Sequence, residues 1–321
     1  MKEIGFMEVG GFRAGHAHNL EAGTGCTVLL FDSCAPAGVD IRGGGPASRE
    51  TPLLDPRMDA KGLHALLLSG GSAFGLDAAG GVMRYLEEHD IGFDTGVTRV
   101  PLVCQSCIFD LAVGRVDVRP DAAMAYRACQ AASREPLENG CVGAGAGACV
   151  GKYRGRKYAM KTGVGTFAVQ VGQVKVGAAV VLNALGDVFD IDTGAQIAGM
   201  RTEDGKSLRS SETELWKDAE QRRDLFTGNT TIGAVLTNGA FTKAELGKIA
   251  SMAHNGYARA IRPVHTTADG DSIYALSTGS ACADLNAAGT LAAYAMGKAI
   301  ARAAMSASAM FGLPCARDLQ G

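Results

Sequence analysis

A threonine stands where a polar loop meets a predicted strand. Thr230 follows the small, flexible pair Gly228 and Asn229 and precedes an apolar run that begins at Ile232. A hydroxyl at such a junction can attack the preceding carbonyl, and scission of the Asn229–Thr230 bond would make Thr230 a new N-terminus. Its freed α-amine, with an ordinary pKa of about 7.7–8.0, can then act as base for its own hydroxyl. The alternative is an ordinary β-branched strand residue.

Four more polar residues are candidates for this chemistry. Asp269 and Asp271 precede a predicted strand, where they can orient the threonine and its ammonium group, bind a cation or cap a turn. Asn183 ends an apolar run, and its amide can stabilise an oxyanion or complete a local turn. Lys152 follows a run of small residues, and a desolvated lysine can stabilise negative charge or shift a neighbouring pKa. The residue types alone leave these alternatives open.

Other motifs are weaker. The small-residue run 142–148 matches only the loosest dinucleotide fingerprint, and the run 69–75 is typical of a tight strand–helix turn, although such a helix start can also hold an anion. Cys104 and Cys107 have no second pair at zinc spacing. His254 and His265 have no partners that the sequence reveals. We therefore expect neither a metal nor a cofactor.

Composition restricts the class of partner and the compartment. The 321 residues carry 31 basic and 33 acidic side chains, a net charge of −2, and 47% are hydrophobic. This balance argues against nucleic acid and anionic membrane surfaces as partners. No apolar run approaches the about 20 residues of a membrane span, and the first dozen residues do not form a signal peptide. The nine cysteines are irregularly spaced, which predicts free thiols in a cytoplasmic protein.

Strands and helices in a mixed order must position these residues. Apolar runs predict strands at 26–31, 64–68, 231–236 and 272–277, and a hairpin joins 167–171 to 174–178. Because the strands are apolar on more than one face, helices must cover the sheets, which predicts an α/β fold.

Helical spacing predicts helices after Ser72 and after Pro120, and a capping box at Thr242 and Glu245 predicts a third. The Ala-rich segment 283–306 predicts a long helix interrupted near Gly289 or Gly297. The segment 201–228 is polar and is predicted to be exposed. With no repeat and no linker, we expect a single domain over 1–321.

Eleven short segments, taken together and in their order along the chain, form a specific pattern. They lie at 15–17, 24–28, 39–44, 49–51, 68–76, 183–187, 228–233, 252–254, 263–266, 269–271 and 275–279. In this combination the chain resembles the P1 (S58, DmpA-like) family of self-processing peptidases. That family contains D-aminopeptidases, β-peptidyl aminopeptidases and hydrolases of nylon (6-aminohexanoate) oligomers. The resemblance implies a four-layer αββα sandwich of the DmpA and ornithine acetyltransferase type.

The resemblance also implies a role for each candidate. Thr230 matches the family nucleophile, and Asp269 and Asp271 match the acidic pair that orients it. Asn183 matches the amide on the oxyanion side, and Lys152 matches the lysine beside the nucleophile in the nylon-oligomer branch.

Cleavage at this junction implies an autocatalytic break between Asn229 and Thr230 into fragments 1–229 and 230–321. The fragments should stay together because the new N-terminal strand lies in the core. The hydrophobic segment 283–306 favours a homo-oligomer, a tetramer or similar.

One departure bears on the substrate. The aminopeptidases of the family use a serine nucleophile and a glutamate that grips the substrate ammonium, whereas in the run 106–110 no carboxylate precedes Phe109. The resemblance therefore favours an amide hydrolase like the nylon-oligomer hydrolases, acting on small peptides or oligoamides without a cofactor. The alternatives are a β-peptidyl or D-aminopeptidase, an acyl transferase of the ornithine acetyltransferase kind, and an uncut Gly-rich binding protein.

Overall fold

The computed structural model describes residues 1–221 and 228–319. Five α-helices lie in these ranges: α1 Ala79–Glu88, α2 Ala122–Gln130, α3 Ser211–Lys217, α4 Lys243–Ala260 and α5 Leu285–Met305. The strands in the same ranges are β1 Lys2–Ile4, β2 Phe12–Asn19, β3 Thr24–Ala35, β4 Ala37–Ile41, β5 Ala47–Arg49, β6 Leu63–Ser69, β7 Phe93–Asp94, β8 Arg99–Val100, β9 Val103–Cys107, β10 Cys149–Val150, β11 Met160–Lys161, β12 Val164–Val171, β13 Val174–Val181, β14 Asp187–Phe189, β15 Gln196–Ala198, β16 Ile232–Gly239, β17 Ile261–Arg262 and β18 Ser272–Ala281.

Two large sheets face each other in the middle of the molecule. The first has the strand order β1-β12-β13-β16-β18-β4, and the second has the order β2-β3-β6-β9-β5. Side chains alternate along each strand, so one face of each sheet is free to pack against the other. The buried layer between them includes Phe12, Leu29 and Leu66 from the second sheet and Ala234 and Leu276 from the first.

Helices cover both outer faces. Ile249 of α4 and Met296 and Ile300 of α5 pack on the first sheet, while Val82 and Leu86 of α1 pack on the second together with α2. Burying such a side chain stabilises the fold by about 1.5–3 kcal/mol relative to leaving it exposed. The layers run helix, sheet, sheet, helix, so the predicted four-layer αββα sandwich is confirmed. None of the described helices is both long and apolar enough to cross a bilayer.

The predicted break in the last helix is wrong. Helix α5 is continuous from Leu285 to Met305. Both glycines lie where neighbours approach the helix closely: a Cβ on Gly289 would sit 2.4 Å from Met252, and one on Gly297 would sit 2.8 Å from Ile191. These glycines therefore permit close packing and do not end the helix.

The segment 201–228, predicted to be polar and exposed, is exposed or half-buried at most positions of its described part, 201–221. Helix α3 lies within it, and its Glu214 is buried. This carboxylate pairs with Arg154 at 3.0 Å and Arg209 at 2.6 Å, and these ion pairs satisfy a charge that could not otherwise be buried. Residues 222–227 of the same segment lie outside the described residues.

Strand pairing brings three distant chain segments to one end of the first sheet. Strands β16 and β18 are parallel and pair Ile232 with Ser272. Strands β13 and β16 are antiparallel and pair Val181 with Ile232. The residues just before β16, just before β18 and just after β13 must therefore meet, and these are the segments that carry Thr230, the Asp269–Asp271 pair and Asn183.

Candidate active site

Thr230 lies two residues before β16 and is buried, with 4% of its surface exposed. Its backbone N–H donates to the carbonyl oxygen of Asn183 at 2.9 Å, and its hydroxyl contacts the carbonyl oxygen of Asn229. The same Asn229 oxygen accepts the backbone N–H of Gly270 at 3.0 Å. The carbonyl of the Asn229–Thr230 peptide bond therefore has a hydroxyl beside it and an N–H aimed at its oxygen.

Lys152 and Asn183 form the floor of the site. The ammonium of Lys152 donates to the backbone oxygen of Asn183 at 3.0 Å, to its side-chain oxygen at 2.9 Å and to the carbonyl of Gly228 at 3.4 Å. These three acceptors match the three donors of a protonated lysine. Thr230 N and Lys152 Nζ thus converge on one oxygen, that of Asn183.

Electrostatics act on Lys152 in two directions. Burial lowers the pKa of Lys152, because a charged ammonium loses its hydration there, and nearby Cys149, Asp269 and Asp271 oppose that effect. Only 7% of the lysine is exposed. A cation in this position stabilises negative charge nearby and disfavours a second positive charge.

The side-chain amide of Asn183 does not face Thr230. Its Nδ2 donates to the carbonyl of Phe109 at 3.0 Å, and its Oδ1 accepts the backbone N–H of Cys149 at 3.1 Å. In this arrangement the backbone carbonyl of Asn183 contacts Thr230, while its side chain fixes Lys152. The predicted oxyanion role of the amide requires Nδ2 to leave Phe109.

Asp271 holds the backbone that follows Thr230. Its Oδ1 accepts the backbone N–H of Thr231 at 2.8 Å. Its Oδ2 accepts both the ring Nδ1 of His265 at 2.8 Å and the backbone N–H of His265 at 3.2 Å. Asp271 therefore reaches Thr230 through the next residue and makes no hydrogen bond to the Thr230 hydroxyl in this arrangement.

Asp269 orders the loop beside it. Its Oδ2 accepts the backbone N–H of Thr266 at 3.0 Å and the Thr266 hydroxyl at 2.5 Å, and its Oδ1 accepts the backbone N–H of Leu185 at 3.3 Å. Burial, and then the charge of Asp271, raise the pKa of Asp269 to about 6. The structure thus brings all five predicted site residues together, in contacts that the sequence did not specify.

A small cleft of about 90 Å³ is lined in part by Lys152 and Gly228, two of the residues around Thr230. Phe109 forms one wall, and its ring lies so close to Gly228 that a Cβ there would be 2.2 Å from the ring. Gly228 also has a φ of +66°, which favours glycine. Cys149, Lys152 and Arg156 complete the polar part of the lining. Both charged groups that line this cleft among the described residues are cations.

Three residues of the site have no role that the sequence reveals. His265, for which the sequence indicates no partner, contacts Asp271. Gly270 stands between two aspartates in the sequence, and Phe109 belongs to a run in which no carboxylate precedes it. The one available signal for His265 was its place in the family-like segment 263–266.

The weaker motifs of the sequence, the runs 69–75 and 142–148 and the cysteine pair, lie in ordinary turns and in the buried interior. Residues Ser72–Ala78 and Gly143–Gly145 form short 3-10 turns. The Cys107 thiol lies 3.1 Å from the hydroxyl of Ser69, and both are buried. In the ranges 1–221 and 228–319, no three His, Cys, Asp or Glu side chains are grouped as a metal site would require.

Comparison with known proteins identifies the family of this chain. The model of peptidase family S58 matches residues 6–315. An uncharacterised aminopeptidase of Mycobacterium leprae (strain TN) is 40% identical over 85% of this chain and 78% of its own length. A 6-aminohexanoate-oligomer endohydrolase of Kocuria sp. (strain KY2) is 32% identical over 84% of this chain and 73% of its own length.

Solved structures agree on the fold. The L-aminopeptidase D-Ala-esterase/amidase of Ochrobactrum anthropi, described as a variant of the Ntn hydrolase fold, superposes with a TM-score of 0.71 at 16% identity. A β-aminopeptidase of a Burkholderia species superposes with a TM-score of 0.66 at 20% identity. Each comparison covers 94% of this chain and 86% of the other. The resemblance inferred from the motifs is confirmed: the chain belongs to peptidase family S58 and is an amide-bond hydrolase.

Proposed function

We propose that this hydrolase cuts its own chain between Asn229 and Thr230 and then uses Thr230 as an N-terminal nucleophile. The observation that carries the proposal is the convergence of Thr230 N and Lys152 Nζ on the carbonyl oxygen of Asn183. That oxygen anchors the future α-amine beside the hydroxyl that it must deprotonate. No histidine is needed to activate the hydroxyl.

Maturation begins with attack of the Thr230 hydroxyl on the carbonyl carbon of Asn229. The carbonyl oxygen gains negative charge, which the N–H of Gly270 stabilises from 3.0 Å. The C–N bond then breaks, the proton lost by the hydroxyl ends on the Thr230 nitrogen, and an ester links Asn229 to Thr230. Water hydrolyses this ester and releases the carboxylate of Asn229 and the hydroxyl of Thr230.

Turnover repeats this chemistry on an external amide. The Thr230 amine accepts the hydroxyl proton, the oxygen attacks the substrate carbonyl, and the amine proton passes to the leaving nitrogen. Water then hydrolyses the acyl-enzyme. The positive charge of Lys152 lowers the pKa of the neighbouring Thr230 amine, which keeps it unprotonated and able to act as base. Lys152 is the oxyanion stabiliser in this scheme, and the Asn183 amide joins it when Nδ2 leaves the carbonyl of Phe109.

The strand arrangement supports a stable two-fragment product. Strand β16, which would begin the second fragment, pairs with β13 of the first fragment on one side and with β18 on the other. Separating the fragments would expose Ile232, Ala234 and Leu236, all fully buried. We therefore propose that 1–229 and 230–321 remain one folded unit, and we keep the homo-oligomer as a prediction for light scattering to test.

We propose a short oligoamide or peptide as substrate, in the manner of the 6-aminohexanoate-oligomer relatives. The cleft lining supports an acyl group without a free ammonium, because Lys152 and Arg156 repel a cation and the described lining has no carboxylate. The second candidate is an aminopeptidase, because other relatives carry that name. A linear 6-aminohexanoate trimer, its N-acetylated form and alanine p-nitroanilide separate the two by rate.

The cleavage itself is tested by intact mass spectrometry and N-terminal sequencing of purified protein. We expect two masses, corresponding to 1–229 and 230–321, and a second N-terminus that reads Thr-Thr-Ile. A single mass in protein that hydrolyses any of the three amides would overturn the proposed nucleophile.

A further inference from the structure

The imidazole of His265 lies behind the nucleophile strand and contacts none of the proposed reacting atoms. Its Nδ1 lies 2.8 Å from Oδ2 of Asp271, and its backbone N–H donates to the same oxygen at 3.2 Å. A carboxylate can only accept, so Nδ1 carries the proton. Two donors from one residue therefore fix Oδ2 and leave Oδ1 to accept the N–H of Thr231.

The surroundings hold this imidazole in one orientation. The ring of His254 meets it edge-on with 4.7 Å between centroids, and the ring of Tyr257 stacks at 5.9 Å. The His265 side chain is 17% exposed, and its backbone has a φ of +57°, which is unusual for a residue other than glycine. Packing from α4 therefore maintains a backbone conformation that an isolated histidine would leave.

We propose that His265 is a positioning residue for the nucleophile, acting through Asp271 and the N–H of Thr231. The inference rests on the proposed function. Scission after Asn229 removes the covalent restraint on the N-terminal side of Thr230. From then on, the Thr231 N–H bond to Asp271, 2.8 Å long, is the first backbone anchor that follows the nucleophile. His265 fixes the anchor, and so fixes where the Thr230 hydroxyl and amine lie.

The reaction is sensitive to this anchor because small displacements of reacting groups are costly. A misplacement of about 1 Å can cost about 10²-fold in rate. Loss of the imidazole leaves only the longer backbone N–H bond of His265, 3.2 Å, on Oδ2 of Asp271. The carboxylate is then held less firmly, and so is the acceptor of the Thr231 N–H. The substrate cleft lies on the Phe109 and Lys152 side, so the binding of substrate is not the step that suffers.

The test compares two substitutions with opposite predictions. His265→Gly removes the imidazole and accepts the positive φ without strain. His265→Asn keeps an N–H donor near the position of Nδ1, and asparagine tolerates the same backbone region. Asp90→Gly is the matched control, because Asp90 is exposed and has a φ of +56° far from the site.

The readouts are the first-order rate of chain scission, from gel densitometry, and kcat and KM on the linear 6-aminohexanoate trimer. We expect His265→Gly to lower kcat and the scission rate by about tenfold to a hundredfold, with KM close to wild type. His265→Asn should recover most of the loss, and Asp90→Gly should match wild type.

Three results would overturn the inference. The first is a wild-type kcat in His265→Gly, and the second is a rise in KM alone. The third is equal loss in the Gly and Asn variants in step with a lower melting temperature, which would make the residue merely structural. Thr230→Ala, run in parallel, separates this failure from that of the proposed function: if Thr230→Ala is still cut, the nucleophile assignment fails, whatever His265 does.

Discussion

The backbone N–H of Gly270 points at the carbonyl oxygen of Asn229 from 3.0 Å, although 41 positions separate the two residues along the chain. The contact forms because β18 lies parallel to β16, so the loop before one strand crosses the loop before the other. A carbonyl polarised in this way, beside a buried hydroxyl, is what the proposed attack by Thr230 requires. The predictions below follow from this and the neighbouring contacts.

Replacing the nucleophile should stop both scission and turnover. Thr230→Ala has no hydroxyl, so the chain should stay intact and amide hydrolysis should fall by about 10³-fold or more. Thr230→Ser keeps the hydroxyl and should still cut. Intact mass measures both. Thr231→Val is the control, because the Thr231 hydroxyl has no hydrogen-bond partner in the described part of the chain. Normal scission in Thr230→Ala would remove Thr230 from its assigned role.

A methyl group at Gly270 should displace the nucleophile. A Cβ there would lie 2.7 Å from Thr230 Oγ1 and 2.7 Å from the carbonyl oxygen of Gly45, both too close. We expect Gly270→Ala to slow scission by about 10²-fold, because the hydroxyl and the N–H donor both move. Gly247→Ala is the control, since nothing lies within 4 Å of its Cβ position. Equal scission rates, measured by gel time course, would show that the site tolerates the methyl group.

The charge of Lys152 should determine the pH above which kcat reaches its full value. If this cation lowers the pKa of the Thr230 amine, Lys152→Met should raise it and move the acid limb of kcat to higher pH. A shift of one unit lowers the rate about tenfold below that limb. Lys152→Arg keeps the charge and should keep the limb nearer its wild-type position. Rate–pH profiles on the 6-aminohexanoate trimer measure the shift, and superimposable limbs for the Met and wild-type enzymes would refute it.

Asp269 should make the fold less stable as pH rises. Its folded-state pKa is about 6, above the ordinary value of 3.8, so the folded chain binds this proton more tightly than the unfolded chain does. The unfolding free energy should therefore fall between about pH 4 and pH 6, by roughly 2–3 kcal/mol from this group, and stay low above pH 6. Urea unfolding of uncut Thr230→Ala, with and without Asp269→Asn, isolates the effect. Parallel stability–pH curves for the two chains would contradict it.

Local sequence patterns predicted many of the strands and helices correctly. The apolar runs at 64–68 and 272–277 correspond to strands Leu63–Ser69 and Ser272–Ala281, and the Thr242–Glu245 capping box begins α4 as predicted. These succeed because periodicity and capping depend on neighbours within a few residues. The predicted break near Gly289 or Gly297 is wrong, because these glycines allow Met252 and Ile191 to pack closely against the helix. Both contacts come from elsewhere in the chain.

The sequence by itself determined which reactive groups are available. They are a threonine just before a strand, two aspartates around a glycine, an amide and a lysine. Only the tertiary structure decided which atoms meet. It placed Asn183 Nδ2 on Phe109, turned Asp271 toward Thr231 and His265, and aimed Gly270 at Asn229. Residue types and local spacing are written in the chain, whereas the register between β13, β16 and β18 follows from packing two sheets and their helices together, which no local pattern encodes.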